Sequence, residues 1–153
     1  MRDPVPTPPS AAQILLVCKN RHGLSARKAV LEEAGYCVVT ATTPAEALHW
    51  LEQEHFDIVV TDHQPPSLNG LELIQGIRQK CPSQLIVLIS GLVDTLGLNE
   101  QRTCADLVIQ KSAREVDHLL RGVKQLLARS QAARKPPARH ASALAQRQGR
   151  AGS

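Results

Sequence analysis

The stretch Phe56–Arg78, FDIVVTDHQPPSLNGLELIQGIR, decides the reading of the whole chain. It begins with a short apolar run, Asp57–Thr61, of the kind that fills a strand buried on both faces. The run stops at an acid, Asp62. A loop with Pro66 and Gly70 follows, residue types that fix tight turns. Leu71–Cys81 then places Leu73, Ile74 and Ile77 on one helical face. A buried strand that ends on a carboxylate and passes through a tight loop into a helix is one βα unit.

The same unit recurs outward in both directions. Upstream, Ile14–Val17 predicts a strand and Leu24–Ala34 a helix stopped at Gly35. Cys37–Val39 is a second strand, and Thr43-Pro44-Ala45-Glu46 is a helix start with a capping Thr, Pro at the first helical position and Glu behind it. That helix ends near Gln53. Downstream, Leu85–Ile89 is a fourth strand and residues 92–103 a fourth helix interrupted by Gly97. Leu107–Ile109 is the fifth strand, and Val116, Leu119, Leu120, Val123 and Leu127 draw the stripe of a final helix. Five strands alternating with five helices predict a doubly wound α/β fold, a parallel sheet covered on both faces. Function in such folds gathers at the carboxyl ends of the strands. The informative positions are therefore Cys18-Lys19, Asp62, Ser90 and Lys111.

Composition narrows the classes. The chain has 153 residues, a length suited to one domain. Aromatic residues are 2%, too few for base-stacking platforms. The four cysteines are scattered, which excludes a zinc knuckle or a Cys-x-x-Cys dithiol and fits a reducing cytosol. No apolar run has membrane-spanning length, and no signal-peptide pattern opens the chain, so a soluble cytoplasmic protein is expected. No Gly-rich phosphate loop or nucleophile elbow is present, and the expectation is that the protein is not an enzyme. The net charge of +4 is unevenly placed. Residues 13–129 carry 12 Lys/Arg against 13 Asp/Glu, whereas 130–153 hold five basic residues and no acid. The expected organisation is a disordered Pro-rich lead-in at 1–12, one domain at 13–129 and a disordered basic tail at 130–153. Nucleic acid is not an expected partner, except weakly through that tail.

At the predicted strand ends, Asp62 supplies a carboxylate, Ser90 a hydroxyl and Lys111 a cation, groups that could converge on one phosphoryl group. On these residues the chain resembles a response-regulator receiver domain, over roughly Ala12 to Arg129. FDIVVTDHQPPSLNGLELIQGIR is similar to that family's acceptor strand, loop and helix, LIVLISG (85–91) to its fourth strand and CADLVIQKS (104–112) to its fifth. ATTPAEALHWL (41–51) resembles its second helix. Each segment alone is a weak signal; four in the right order are a specific one. The resemblance implies a flavodoxin-like (βα)5 sheet in the order 2-1-3-4-5. It implies a phosphorelay role in which Asp62 takes a phosphoryl group from a histidine kinase while Ser90 and Lys111 read it. It also implies Mg2+, held by Asp62 and the backbone carbonyl of Gln64.

Departures accompany the matches. Family members end the first strand with two acids that hold Mg2+; ILLVCKN (14–20) puts Cys18 and Lys19 there, leaving a degenerate acidic pocket in which little metal binding is expected. Lys19 is expected within ion-pairing reach of Asp62, filling the space of a metal. Val108 stands where an aromatic is usual. Ser112 follows Lys111 in place of a cis proline, so a trans bond is expected. Cys18 reads as a small buried hydrophobe and His63 as a solvent-facing loop residue. The alternative function is a phosphorylation-independent pseudo-receiver, a protein-interaction module whose partner is another signalling protein.

Overall fold

A computed structural model describes residues 12–134. The elements are β1 (Gln13–Val17), α1 (Arg21–Glu33), β2 (Cys37–Ala41), α2 (Pro44–Gln53), β3 (Ile58–Asp62), α3 (Gly70–Lys80), β4 (Leu85–Ser90), α4 (Val93–Leu96), α5 (Glu100–Thr103), β5 (Leu107–Gln110) and α6 (Glu115–Arg134). All strand pairs are parallel, in the order β2-β1-β3-β4-β5. The doubly wound (βα)5 expectation is met.

Strand alternation sorts the core into two layers. Ile14, Leu16, Ile58, Val60, Val87, Ile89 and Ile109 face α1 and α6, meeting Leu31, Leu119 and Val123. Leu15, Val17, Val59, Ile86 and Leu88 face the other way, meeting Ala47, Leu73, Ile74 and Ile77 of α2 and α3. Because the side-chain period of a strand is two, this parity also decides where each strand-end residue points.

Helix starts follow local chemistry. Thr43 Oγ accepts from the Glu46 N–H at 3.1 Å, with Pro44 in the first turn, as the sequence pattern requires. Helix α1 begins at Arg21 rather than near Leu24, because the Asn20 side chain accepts from the Gly23 N–H and caps it earlier. The single helix expected over 92–103 is two short ones. Gly97 turns left-handed (φ 65°) and ends α4, and Asn99 then caps α5 through the Arg102 N–H at 2.7 Å.

The boundaries shift at both ends. Ala12, expected in the lead-in, is buried in the core layer beneath α1 and α6. Helix α6 continues to Arg134, past the expected boundary at residue 129. The rest of the expected lead-in and tail, residues 1–11 and 135–153, lies outside the described residues. The bond between Pro65 and Pro66 is cis, whereas Lys111–Ser112 is trans as expected. Among the described residues no helix is long and apolar enough to cross a membrane.

Candidate functional site

Asp62 occupies the last position of β3, in register with Ile89 of β4. It shares parity with Ile58 and Val60, so its carboxylate projects onto the face covered by α1 and α6. There it meets a residue that the sequence pattern did not single out. Arg27 of α1 is 1% exposed and donates through Nη1 to Asp62 Oδ1 at 2.8 Å. Its Nε and Nη2 both reach Glu115 Oε2, at 2.9 and 2.6 Å. One guanidinium thus ties the end of β3 to the first residue of α6. Burial alone would lower the Arg27 pKa, but the Asp62 charge and the hydrogen bonds to Glu115 and Asp62 outweigh it and push it up. Arg27 is a fixed cation.

Lys111, just past β5 and on the parity of Ile109, places Nζ 3.9 Å from Asp62 Oδ2. Its side chain is 32% exposed against 2% for Asp62, so it stands at the rim of the pocket. Asp62 and Lys111, two of the three groups expected to converge, thus stand side by side.

The expected pairing of Asp62 with Lys19 is absent among the described residues. Lys19 is exposed, and the described ion pairs of Asp62 go to Arg27 and Lys111. Parity supplies the reason. Ile14 and Leu16 lie on the Asp62 face, so position 18 continues that face and position 19 the opposite one. Cys18 is buried and its thiol donates to the Asn20 carbonyl at 3.3 Å. Burial, followed by the adjacent Asp62 carboxylate, pushes its pKa up to about 11. It is a protonated, inert thiol, in line with the reading as a buried hydrophobe.

Ser90 is buried at the end of β4, and its hydroxyl serves the backbone. Oγ donates to the His63 carbonyl at 2.8 Å and accepts from the Leu92 N–H at 3.0 Å. It fixes the loop after Asp62 instead of reaching for the carboxylate. His63, expected to face solvent, is buried. It lies on the parity of Val59, which aims it at α3, and its Nδ1 accepts from the Gly70 N–H at 3.1 Å and the Leu71 N–H at 3.4 Å. Burial holds the imidazole pKa down, consistent with a neutral ring that caps α3. The Gln64 carbonyl accepts from Leu68 N–H at 3.1 Å and Ser67 Oγ at 2.8 Å. Both of these bonds serve the loop at the carbonyl that the resemblance assigns to Mg2+. Among the described residues, no three His, Cys, Asp or Glu side chains gather as a metal-ligand set.

The response regulator receiver domain family matches residues 14–124. The chain belongs to the response-regulator receiver domains. Relatives include the CAI-1 autoinducer sensor kinase/phosphatase CqsS of Vibrio cholerae, 28% identical over 109 residues covering 68% of this chain and 16% of that protein. Sensor protein EvgS of Escherichia coli K12 is 34% identical over 74 residues, 48% of this chain and 6% of that protein. The receiver thus spans a small part of these larger relatives. Among solved structures, the response regulator TrrA of Thermotoga maritima in complex with Mg2+-BeF superposes with a TM-score of 0.67 and 30% identity, covering 75% of this chain and 98% of that one. TrrA has also been solved in complex with the histidine kinase ThkA, with the same TM-score and identity over 76% of this chain and 98% of that one. A CheY-like receiver from Methanospirillum hungatei gives 0.71 and 27%, over 81% and 99%. This chain is thus homologous to receivers of the two-component phosphorelay class, both in response regulators and within sensor kinases.

Proposed function

We propose that this receiver takes a phosphoryl group on Asp62 from the phosphohistidine of a histidine kinase and acts as a signalling module, not as an enzyme on small substrates. The observation that carries this reading is the placement of the Asp62 carboxylate between two cations. Arg27 holds Oδ1, and Oδ2 faces Lys111 at the exposed rim. Oδ2 is the attacking oxygen. It bonds to phosphorus as the P–N bond breaks, and the electron pair returns to the kinase imidazole, which takes a proton. Arg27 and Lys111 offset the added negative charge. Ser90 and His63 hold the loop that frames the carboxylate.

The pocket does not fit the Mg2+ that the family implies. Mg2+ asks for hard oxygen ligands in octahedral array. The carboxylates of Asp62 and Glu115 are both bound to Arg27, the Cys18 thiol is held protonated, and the Gln64 carbonyl is engaged in its loop. By analogy with TrrA, the partner is a histidine kinase or a signalling protein that shuttles phosphoryl groups.

The test is exposure of the full chain to phosphoramidate or acetyl phosphate, followed by intact and peptide mass analysis with Asp62→Asn as the blank. One phosphoryl group on the peptide carrying Asp62 is the expected result. Labelling elsewhere, or none, would leave an interaction module that works without phosphate.

A further inference from the structure

We propose that Arg27 is the resident cation of the Asp62 pocket and that it excludes divalent metals from this pocket. Four charged side chains meet at this point. Asp62 and Glu115 contribute two negative charges, and Arg27 and Lys111 two positive ones. The cluster is neutral as it stands. A divalent ion entering it would face two cations and two carboxylates already bound to Arg27.

The guanidinium suits the role better than an ammonium would. Its planar fork engages Asp62 through Nη1 and Glu115 through Nε and Nη2, so its orientation is set by elements on two sides. Of its five N–H groups, three serve these carboxylates. A phosphoryl oxyanion on Asp62 would then be held between Arg27 and Lys111. That last step rests on the acceptor reading above, whereas the exclusion of metal does not.

The experiment is a Mg2+ titration of the full chain followed by amide shifts of residues 61–64, repeated with Mn2+ as a paramagnetic probe. Wild-type protein is expected to show no saturable change up to about 10 mM, roughly ten-fold above the weakest protein sites. Saturation in the low millimolar range at these amides overturns the proposal. Two variants locate the cause. Cys18→Asp with Lys19→Asp restores the family's acid pair in sequence, with position 18 on the Asp62 face, but keeps Arg27. The triple variant that also carries Arg27→Ala should bind Mg2+ at least about ten-fold more tightly than the double one. Equal affinities overturn the assignment to Arg27. If the triple variant does not fold, the wild-type titration still decides. Phosphodonor labelling in EDTA and in Mg2+ is run beside it. Equal labelling supports the proposal and a strict Mg2+ requirement overturns it. Failure to label under either condition defeats the acceptor reading alone, and the titration then decides whether Arg27 keeps metal out.

Discussion

Gly70 packs so closely under Asp62 that a β-carbon on it would collide with the Asp62 carbonyl oxygen and crowd the His63 side chain. The obstacle is backbone, which cannot swing away as a flexible side chain could. Gly70→Ala is therefore expected to push α3 from the end of β3 at a cost of about 2 kcal/mol, as overpacking in a closed site does. Calorimetry should show a Tm fall of roughly 5–10 °C. A change below that range would mean the loop yields more easily than its hydrogen bonds suggest.

His63 should make stability pH-dependent. Its folded-state pKa is depressed by burial, and Nδ1 accepts two backbone N–H bonds only when unprotonated. Below the ordinary imidazole value of about 6.5 the unfolded chain binds the proton more readily. The stabilisation is thus complete above that pH and is lost as the pH falls through the lower folded value. His63→Asn keeps an acceptor near the Nδ1 position without titrating there. Denaturant midpoints measured between neutral and mildly acidic pH should fall less steeply in the variant than in the wild type.

The buried pair predicts an order of severity. Arg27→Met leaves Asp62 enclosed without its 2.8 Å partner, and removing one member of a buried pair costs about 3–5 kcal/mol. Glu115→Gln acts at a more exposed carboxylate, keeps an oxygen for the guanidinium and should cost about 1 kcal/mol. Urea unfolding of both variants checks the ranking. Equal losses would mean that Glu115 anchors Arg27 as firmly as Asp62 does.

The C-terminal segment should be thermally silent. Residues 135–153 carry almost no large apolar side chain, so their removal should leave Tm within roughly 1 °C. A cut at residue 130 is a different experiment, since it also removes the last turn of α6.

The fold was legible because each strand is a short apolar run and the helices carry local punctuation, such as the Thr43–Glu46 start and the stripe of α6. The Asp62–Lys111 half of the site was legible too, as both residues stand at the carboxyl ends of apolar strands. The rest turned on strand parity. Counting by twos from Ile14 puts Cys18 on the Asp62 face and Lys19 on the other, and counting back from His63 aims it at α3. Arg27 carried a signal of its own. It falls between Leu24 and Leu31 at helical spacing, on the inward stripe of α1, where a charge requires a buried partner. The break at Gly97 was visible as a weak point, but only the Asn99 cap converts it into two helices.

The contrast between Cys18 and the three exposed thiols, Cys37, Cys81 and Cys104, gives the molecule a built-in gauge of its own opening. In the native state an alkylating reagent meets three accessible sulfurs and one that is both enclosed and held protonated. Modification of the fourth must wait until the carboxyl end of β1 parts from its cover. Its rate therefore clocks the breathing of the pocket itself, separately from fraying at the helix ends.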